Sequence, residues 1–111
     1  MAPLETALTY MDIFFSGHDL ERLYTILDDQ VIFEGPFYQF TSAYAYVTSL
    51  QADPPVECHY NIRYTFENDT QVNLIYDFIK SGIHTRMSQF LEVNTAGITR
   101  ILLIFDTGTF T

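Results

Sequence analysis

The stretch Gln71-Val72-Asn73-Leu74-Ile75-Tyr76-Asp77-Phe78-Ile79-Lys80-Ser81-Gly82-Ile83-His84-Thr85-Arg86-Met87-Ser88-Gln89-Phe90 decides the fold. Ser81-Gly82 is a turn signal between two runs rich in branched and aromatic residues, so the segment predicts an antiparallel hairpin. A two-residue loop fixes the register. Lys80 faces Ile83, Phe78 faces Thr85, Tyr76 faces Met87, and Leu74 faces Gln89. The opposite face pairs Asp77 with Arg86, an opposite-charge cross-strand pair.

The same chemistry continues outward. From about 56 to 67, Cys58, Tyr60, Ile62, Tyr64 and Phe66 alternate with Glu57, His59, Asn61, Arg63, Thr65 and Glu67. That period of two predicts a half-buried strand with the first set facing inward. Asn68-Asp69 marks the turn that follows it. Asn94-Thr95-Ala96-Gly97 separates strand segments at about 83–93 and 98–107. If Val93 pairs with Ile98, Gln89 faces Leu102, Met87 faces Ile104, and Thr85 faces Asp106. One surface then collects Leu74, Tyr76, Phe78, Thr85, Met87, Gln89, Leu102, Ile104 and Asp106. It is mostly apolar with a few polar groups. It reads either as a pocket wall or as an ordinary core whose Gln89 and Asp106 meet water at an edge. The other surface carries His59, Asn61, Arg63, Asp77, Ile79, His84, Arg86, Ser88, Phe90, Ile101, Leu103 and Phe105. Its later strands are too apolar to leave in water, so a homodimer through this outer sheet face is expected.

Upstream the period changes. Leu4, Ala7, Leu8, Met11, Phe14 and Phe15 follow helical spacing, so residues from about 3 to 16 predict an amphipathic helix. Pro3 suits its first turn, and Gly17 ends it. Asp19 opens a second helix with Leu20, Leu23, Tyr24 and Leu27 as its apolar stripe. Asp28-Asp29 break that helix, and Val31-Ile32-Phe33 make a short strand. Gly35-Pro36 turns the chain. Thr41 or Ser42 caps a third helix bearing Ala43, Val47 and Leu50, which Pro54-Pro55 stops. Helices first and a strand meander after them predict an α+β fold in a single domain over residues 1–111.

Composition limits the function classes. The chain has 111 residues, 48% of them hydrophobic, which is ample for one core. Its net charge is −9 with five Lys plus Arg, a surface that repels phosphate backbones and anionic membranes. The apolar run Ile101 to Phe105 is far too short to span a bilayer. No signal-peptide pattern opens the sequence, and the single cysteine, Cys58, excludes an intrachain disulfide, so a cytoplasmic protein is expected. His18, His59 and His84 lack metal-ligand spacing, and no glycine-rich phosphate loop is present, so neither a metal nor a cofactor is expected.

The segments Tyr10-Met11-Asp12-Ile13, Gly17-His18-Asp19-Leu20-Glu21 and Leu27-Asp28-Asp29-Gln30-Val31-Ile32-Phe33-Glu34-Gly35-Pro36 resemble the opening of SnoaL-like and ketosteroid-isomerase-like proteins. Gln89-Phe90-Leu91-Glu92-Val93, Gly97-Ile98 and Leu102 to Asp106 resemble their last hairpin. The resemblance implies the nuclear transport factor 2-like superfamily: a curved antiparallel sheet packed as a cone on three N-terminal helices. It also implies dimerisation through the outer sheet face. The isomerase's oxyanion tyrosine falls on Tyr10. Its base falls on Gly35, which has no side chain, and its protonated acid falls on Gln89. Glu34, one step along the strand, points to the other face.

The chemistry this leaves is an apolar pocket for a small hydrophobic carbonyl compound. Tyr10 is either a donor to a developing oxyanion or a core tyrosine bonded to backbone. Gln89 either orients a carbonyl ligand or satisfies Tyr10. Asp106 is either a general base or a strand-end carboxylate at the rim. Phe14, Phe37, Tyr76, Met87 and Leu102 are the expected wall. Phe37, Tyr38 and Phe40 form either a lid over the mouth or packing rings under a loop. The competing reading is a non-catalytic dimeric module whose cone is filled by its own side chains.

Overall fold

The computed structural model describes residues 2–110. Helix α1 spans Pro3–Ser16 and a 3-10 helix spans Leu20–Thr25. Strands β1 (Leu27–Glu34) and β2 (Gln39–Phe40) follow, then helix α2 (Ala43–Ala52). Four long strands complete the sheet: β3 (Cys58–Glu67), β4 (Gln71–Lys80), β5 (Ile83–Asn94) and β6 (Gly97–Phe105). A short 3-10 turn, Thr107–Phe110, ends the described chain. The strand order is β2-β1-β6-β5-β4-β3.

The sheet is α+β in context, as the sequence predicts, but it is mixed rather than antiparallel. β1 runs parallel to β6, while every other pair is antiparallel. The crossover between β1 and the long strands carries α2, which is how a parallel neighbour can be reached. α1 lies in the concave face against β3, β4 and β5, and α2 packs on β1 and the first 3-10 helix. Ala7, Tyr10, Met11, Leu23, Val31, Val47, Leu74, Leu91, Ile98 and Ile101 form the buried centre. No helix among the described residues is long and apolar enough to cross a membrane.

The β4–β5 hairpin has the register that a two-residue Ser81-Gly82 loop dictates, from Lys80 opposite Ile83 to Leu74 opposite Gln89. Asp77 and Arg86 face each other and bond at 2.8 Å, with Arg63 and His84 both 3.8 Å from the same carboxylate. The hydrogen bond from Arg86 holds the Asp77 carboxyl below its usual range.

Two register shifts depart from strict alternation. In β6, Glu92 faces Arg100 while Val93 faces Ile98, so Thr99 is the extra residue. Beyond it Gln89 faces Leu103 and Met87 faces Phe105, one residue later than uninterrupted pairing gives. Leu103 and Phe105 therefore turn inward with Ile101, and Leu102 and Ile104 turn outward. In β3, Ile62 faces Tyr76 but Tyr64 faces Ile75, so the shift falls at Arg63. Tyr60 and Ile62 stay inward, while Tyr64 and Phe66 are exposed on the outer face.

The helical expectations change around the second helix, where Leu27, expected on its apolar stripe, opens β1 instead. Asp19 precedes a 3-10 helix rather than an α-helix, has φ 51°, and makes no side-chain cap. Its carboxylate meets His18 at 3.1 Å instead. Asp28 and Asp29 belong to β1, where Asp28 Oδ1 accepts from the Gln30 N–H at 2.8 Å. Ser42 caps α2, accepting from the Ala45 N–H at 3.1 Å.

Gly17 ends α1 with φ 72°, and its N–H donates to Phe14 O. A Cβ placed there would stand 2.3 Å from the Pro55 carbonyl oxygen, where the chain passes from α2 to β3. Gly17→Ala combines a left-handed backbone with a backbone clash. It is expected to cost about 2 kcal/mol or more of folding stability, read as a lower urea midpoint at unchanged slope.

Candidate functional site

A cavity of about 490 Å³ lies between the concave sheet face, α1 and α2. Its wall is mainly aromatic, including Phe14, Phe33, Phe40 and Tyr76, with Met87 and Leu103 from β5 and β6. Phe37 stands at the exposed end against Phe105 and Phe110, with ring centres 5.5 and 5.9 Å away. Phe110 also meets Phe78 at 6.0 Å, so the C-terminal turn folds a ring back over the mouth. Phe33 stacks on Tyr46 with ring centres 4.7 Å apart and fixes that tyrosine on α2.

Four polar side chains meet at the buried end. Tyr10 comes from α1, Tyr46 from α2, Tyr76 from β4 and Gln89 from β5, and each is at most 3% exposed. The Tyr76 hydroxyl donates to Gln89 Oε1 at 2.9 Å. Gln89 Nε2 donates to the Tyr10 oxygen at 3.2 Å. The Tyr10 and Tyr46 hydroxyls share one hydrogen bond at 2.5 Å. That pair owns two hydroxyl hydrogens and uses one of them between its members. With Gln89 Oε1 turned to the Tyr76 hydroxyl and Nε2 to Tyr10, whichever phenol donates, the other keeps an O–H with no acceptor among the described residues. A ligand oxygen in the cavity would take it.

The phenols are held in their donor form. Burial pushes Tyr10 up to about 12, against which its bonds from Tyr46 and Gln89 pull only partly. Burial also raises Tyr46 and Tyr76 well above the ordinary phenol value, with the Tyr10 charge adding to each. All three are neutral at neutral pH. They can donate hydrogen bonds, but they cannot serve as bases there.

The structure brings Tyr10, Gln89, Tyr76, Met87, Phe14 and Phe37 to one cavity. Leu102 and Asp106 lie outside it. Leu102 faces outward beside Phe90 because of the Thr99 bulge. Asp106 follows the end of β6 and is exposed. Its Oδ1 accepts from the Gly108 N–H at 2.9 Å, and its carbonyl accepts from the Thr109 hydroxyl, so it shapes the C-terminal turn. Glu34 is outward as well, bonded to Arg100 at 2.8 Å. Tyr46 was missing from the sequence-derived site. Its signal was there, since Tyr46 lies one helical step from Ala43 and next to Val47 on α2's apolar stripe. Phe110 and Lys80 also reach the cavity.

The raised phenols give a pH prediction. In the folded chain Tyr10 keeps its proton until about pH 12, whereas the unfolded chain releases it near 10. The folded state thus holds more protons across that window, and stability falls as pH rises through it. The expected slope is about 1.4 kcal/mol per pH unit for each such phenol. Denaturant midpoints measured from neutral pH to pH 12 check this, and Tyr10→Phe should flatten the alkaline slope.

No protein-family model and no curated protein matches the sequence. Solved structures do. A protein from Kribbella flavida superposes with TM-score 0.84 at 23% identity, covering 98% of this chain and 90% of that one. An NTF2-like protein of unknown function from Cytophaga hutchinsonii gives 0.82 at 18%, covering 97% and 93%. A provisionally assigned polyketide cyclase from Xanthomonas campestris gives 0.77 at 16%, covering 97% and 93%. A provisionally assigned ketosteroid isomerase, also from Kribbella flavida, gives 0.79 at 17%, covering 92% and 76%. At these identities the likeness establishes architecture, and the chain has the NTF2-like fold.

Proposed function

We propose that the chain binds a small, largely apolar carbonyl compound in this cavity and polarises its oxygen through the Tyr10–Tyr46 pair. The observation that carries the reading is the surplus O–H of that pair at the buried end of an aromatic cavity. A preorganised donor in a dry site interacts more strongly with a developing oxyanion than water does. Such a group suits an isomerase- or cyclase-like step, the class in which two of the structural relatives are provisionally placed. Among the described residues the buried end offers no carboxylate base. Position 35 is glycine, Glu34 points away, and among the described residues Asp53, at the C-cap of α2, is the one carboxylate that reaches the cavity. Binding and polarisation are therefore the functions assigned to these side chains, and nucleic acid and membrane are not among the proposed partners.

A thermal-shift panel of phenols, steroids and polyketide-like carbonyl compounds tests this. A compound that fits stabilises the fold by about 2.7 kcal/mol at roughly a hundredfold excess over its Kd. Tyr10→Phe and Tyr46→Phe should each weaken binding by about three- to tenfold, the worth of one hydrogen bond. A panel without any saturable shift, or affinities untouched in both variants, overturns the proposal.

A second reading concerns the outer face. Tyr64, Phe66 and Ile104 are each more than half exposed there, beside the partly covered Phe90 and Leu102. We propose that this face pairs with a second copy of the chain, because contiguous apolar surface of this kind is costly in water. Phe66→Glu should convert a dimer to a monomer in sedimentation velocity at micromolar concentration. A wild-type chain that sediments as a monomer there would sink the idea.

A further inference from the structure

Lys80 is the exception among the cationic side chains. Arg63 and Arg86 surround Asp77, and Arg100 bridges Glu34 at 2.8 Å and Glu92 at 3.9 Å. Arg22 donates to the Asp19 carbonyl at 3.1 Å and lies 3.4 Å from the Ser16 hydroxyl. Among the described residues, Lys80 alone of the five Lys and Arg side chains has no hydrogen-bond or ion-pair partner, and it is the only one of them that lines the cavity. Its place is set by the hairpin. Tyr76, Phe78 and Lys80 alternate onto the inner face of β4, so Tyr76 reaches the buried polar end, Phe78 lines the wall, and Lys80 stands at the exposed rim. Four residues of strand separate Tyr76 from Lys80, roughly 13 Å at about 3.3 Å per residue. The flexible lysine stem shortens that span when the ammonium turns toward the cavity.

The cavity is thus polar at both ends and apolar between them. Its buried end offers a neutral O–H, and its rim offers a positive charge. Asp53 also reaches the lining but makes no ion pair with Lys80. Glu57 lines a second hollow with Lys80, and among the described residues neither carboxylate is bonded to the ammonium, which stays available to a group in contact with it. Resting on the cavity reading above, we infer that the ligand class is a monocarboxylate with a flat, apolar body about two aromatic rings long. Its carboxylate meets Lys80, and its carbonyl or hydroxyl oxygen meets the Tyr10–Tyr46 pair. Lys80 is then a specificity-determining residue. It selects the acid over its neutral analogue without taking part at the reacting end.

The test uses a hydroxynaphthoate with hydroxyl and carboxylate at opposite ends of the two rings, and its carboxamide as the neutral twin. Ligand fluorescence reports binding, since the chain has no Trp. The acid is expected to bind about three- to fivefold tighter than the amide, the range for a partly exposed ion pair. Lys80→Met should abolish that preference by weakening the acid and leaving the amide unchanged, and Lys80→Arg should retain it. Tyr10→Phe combined with Tyr46→Phe should weaken both compounds alike. Equal affinity of acid and amide, or a preference that survives Lys80→Met, overturns the assignment of Lys80 while leaving the cavity reading in place. Absence of saturable binding by both compounds, or binding indifferent to the double phenylalanine variant, overturns the cavity reading and this inference together.

Discussion

The hydrogen-bonded chain from Tyr76 through Gln89 and Tyr10 to Tyr46 is the constraint on which the interior depends. It links β4, β5, α1 and α2, four elements brought together from distant parts of the sequence. Each member is buried, and a buried polar group without a partner costs about 1–3 kcal/mol. The chain therefore limits how α1 can slide along the sheet and how α2 can rotate against α1. A shift that breaks one bond strands two groups at once. Among the described residues every buried side-chain nitrogen and oxygen has at least one partner, and the Tyr10–Tyr46 pair, which keeps one spare hydroxyl hydrogen, lines the cavity.

The same arrangement shows how one helix can serve both packing and binding. α1 buries Ala7, Met11 and Ile13 in the core, and Tyr10, one of the core residues by exposure, sends its hydroxyl into the polar chain. At the far end of the sheet contact, the Tyr60 hydroxyl donates to Asp12 Oδ1 at 2.5 Å. Residues 10 and 12 stand about 200° apart around the helix, so the bonds hold α1 from two sides. The helix is then a rigid carrier for Tyr10, as a donor that must be preorganised requires.

What the sequence revealed and what it hid follow from one physical difference. Ser81-Gly82 permits a tight turn, and the mixed faces of β4 and β5 make any slip expensive, so that hairpin is legible residue by residue. The run Ile101-Leu102-Leu103-Ile104-Phe105 is apolar at every position. Moving it by one residue exchanges apolar for apolar, and the pattern carries no penalty that would reveal the bulge at Thr99. Tyr64 and Phe66 fail for a related reason, since an aromatic side chain is plausible on either face of a strand. The parallel pairing of β1 with β6 was hidden because periodicity within a strand says nothing about its neighbour. The candidate site was legible where it rests on α1 and the hairpin, which supplied Tyr10, Tyr76, Met87 and Gln89. It was lost where it rests on β6, and with it went the inward placement of Leu102 and Asp106.

The lack of a base at the buried end is also a matter of packing. A Cβ at Gly35, the position that the resemblance pairs with a catalytic carboxylate, would stand 3.0 Å from Phe33 Cε1. Phe33 is the ring stacked on Tyr46, and Phe40 lies against both, with ring centres 6.0 and 5.5 Å away. A carboxylate at 35 would therefore press on the ring that positions one member of the donor pair. In this chain the space next to position 35 is given to an aromatic cluster that orients Tyr46. A side chain at 35 and the Phe33–Tyr46 stack compete for one volume.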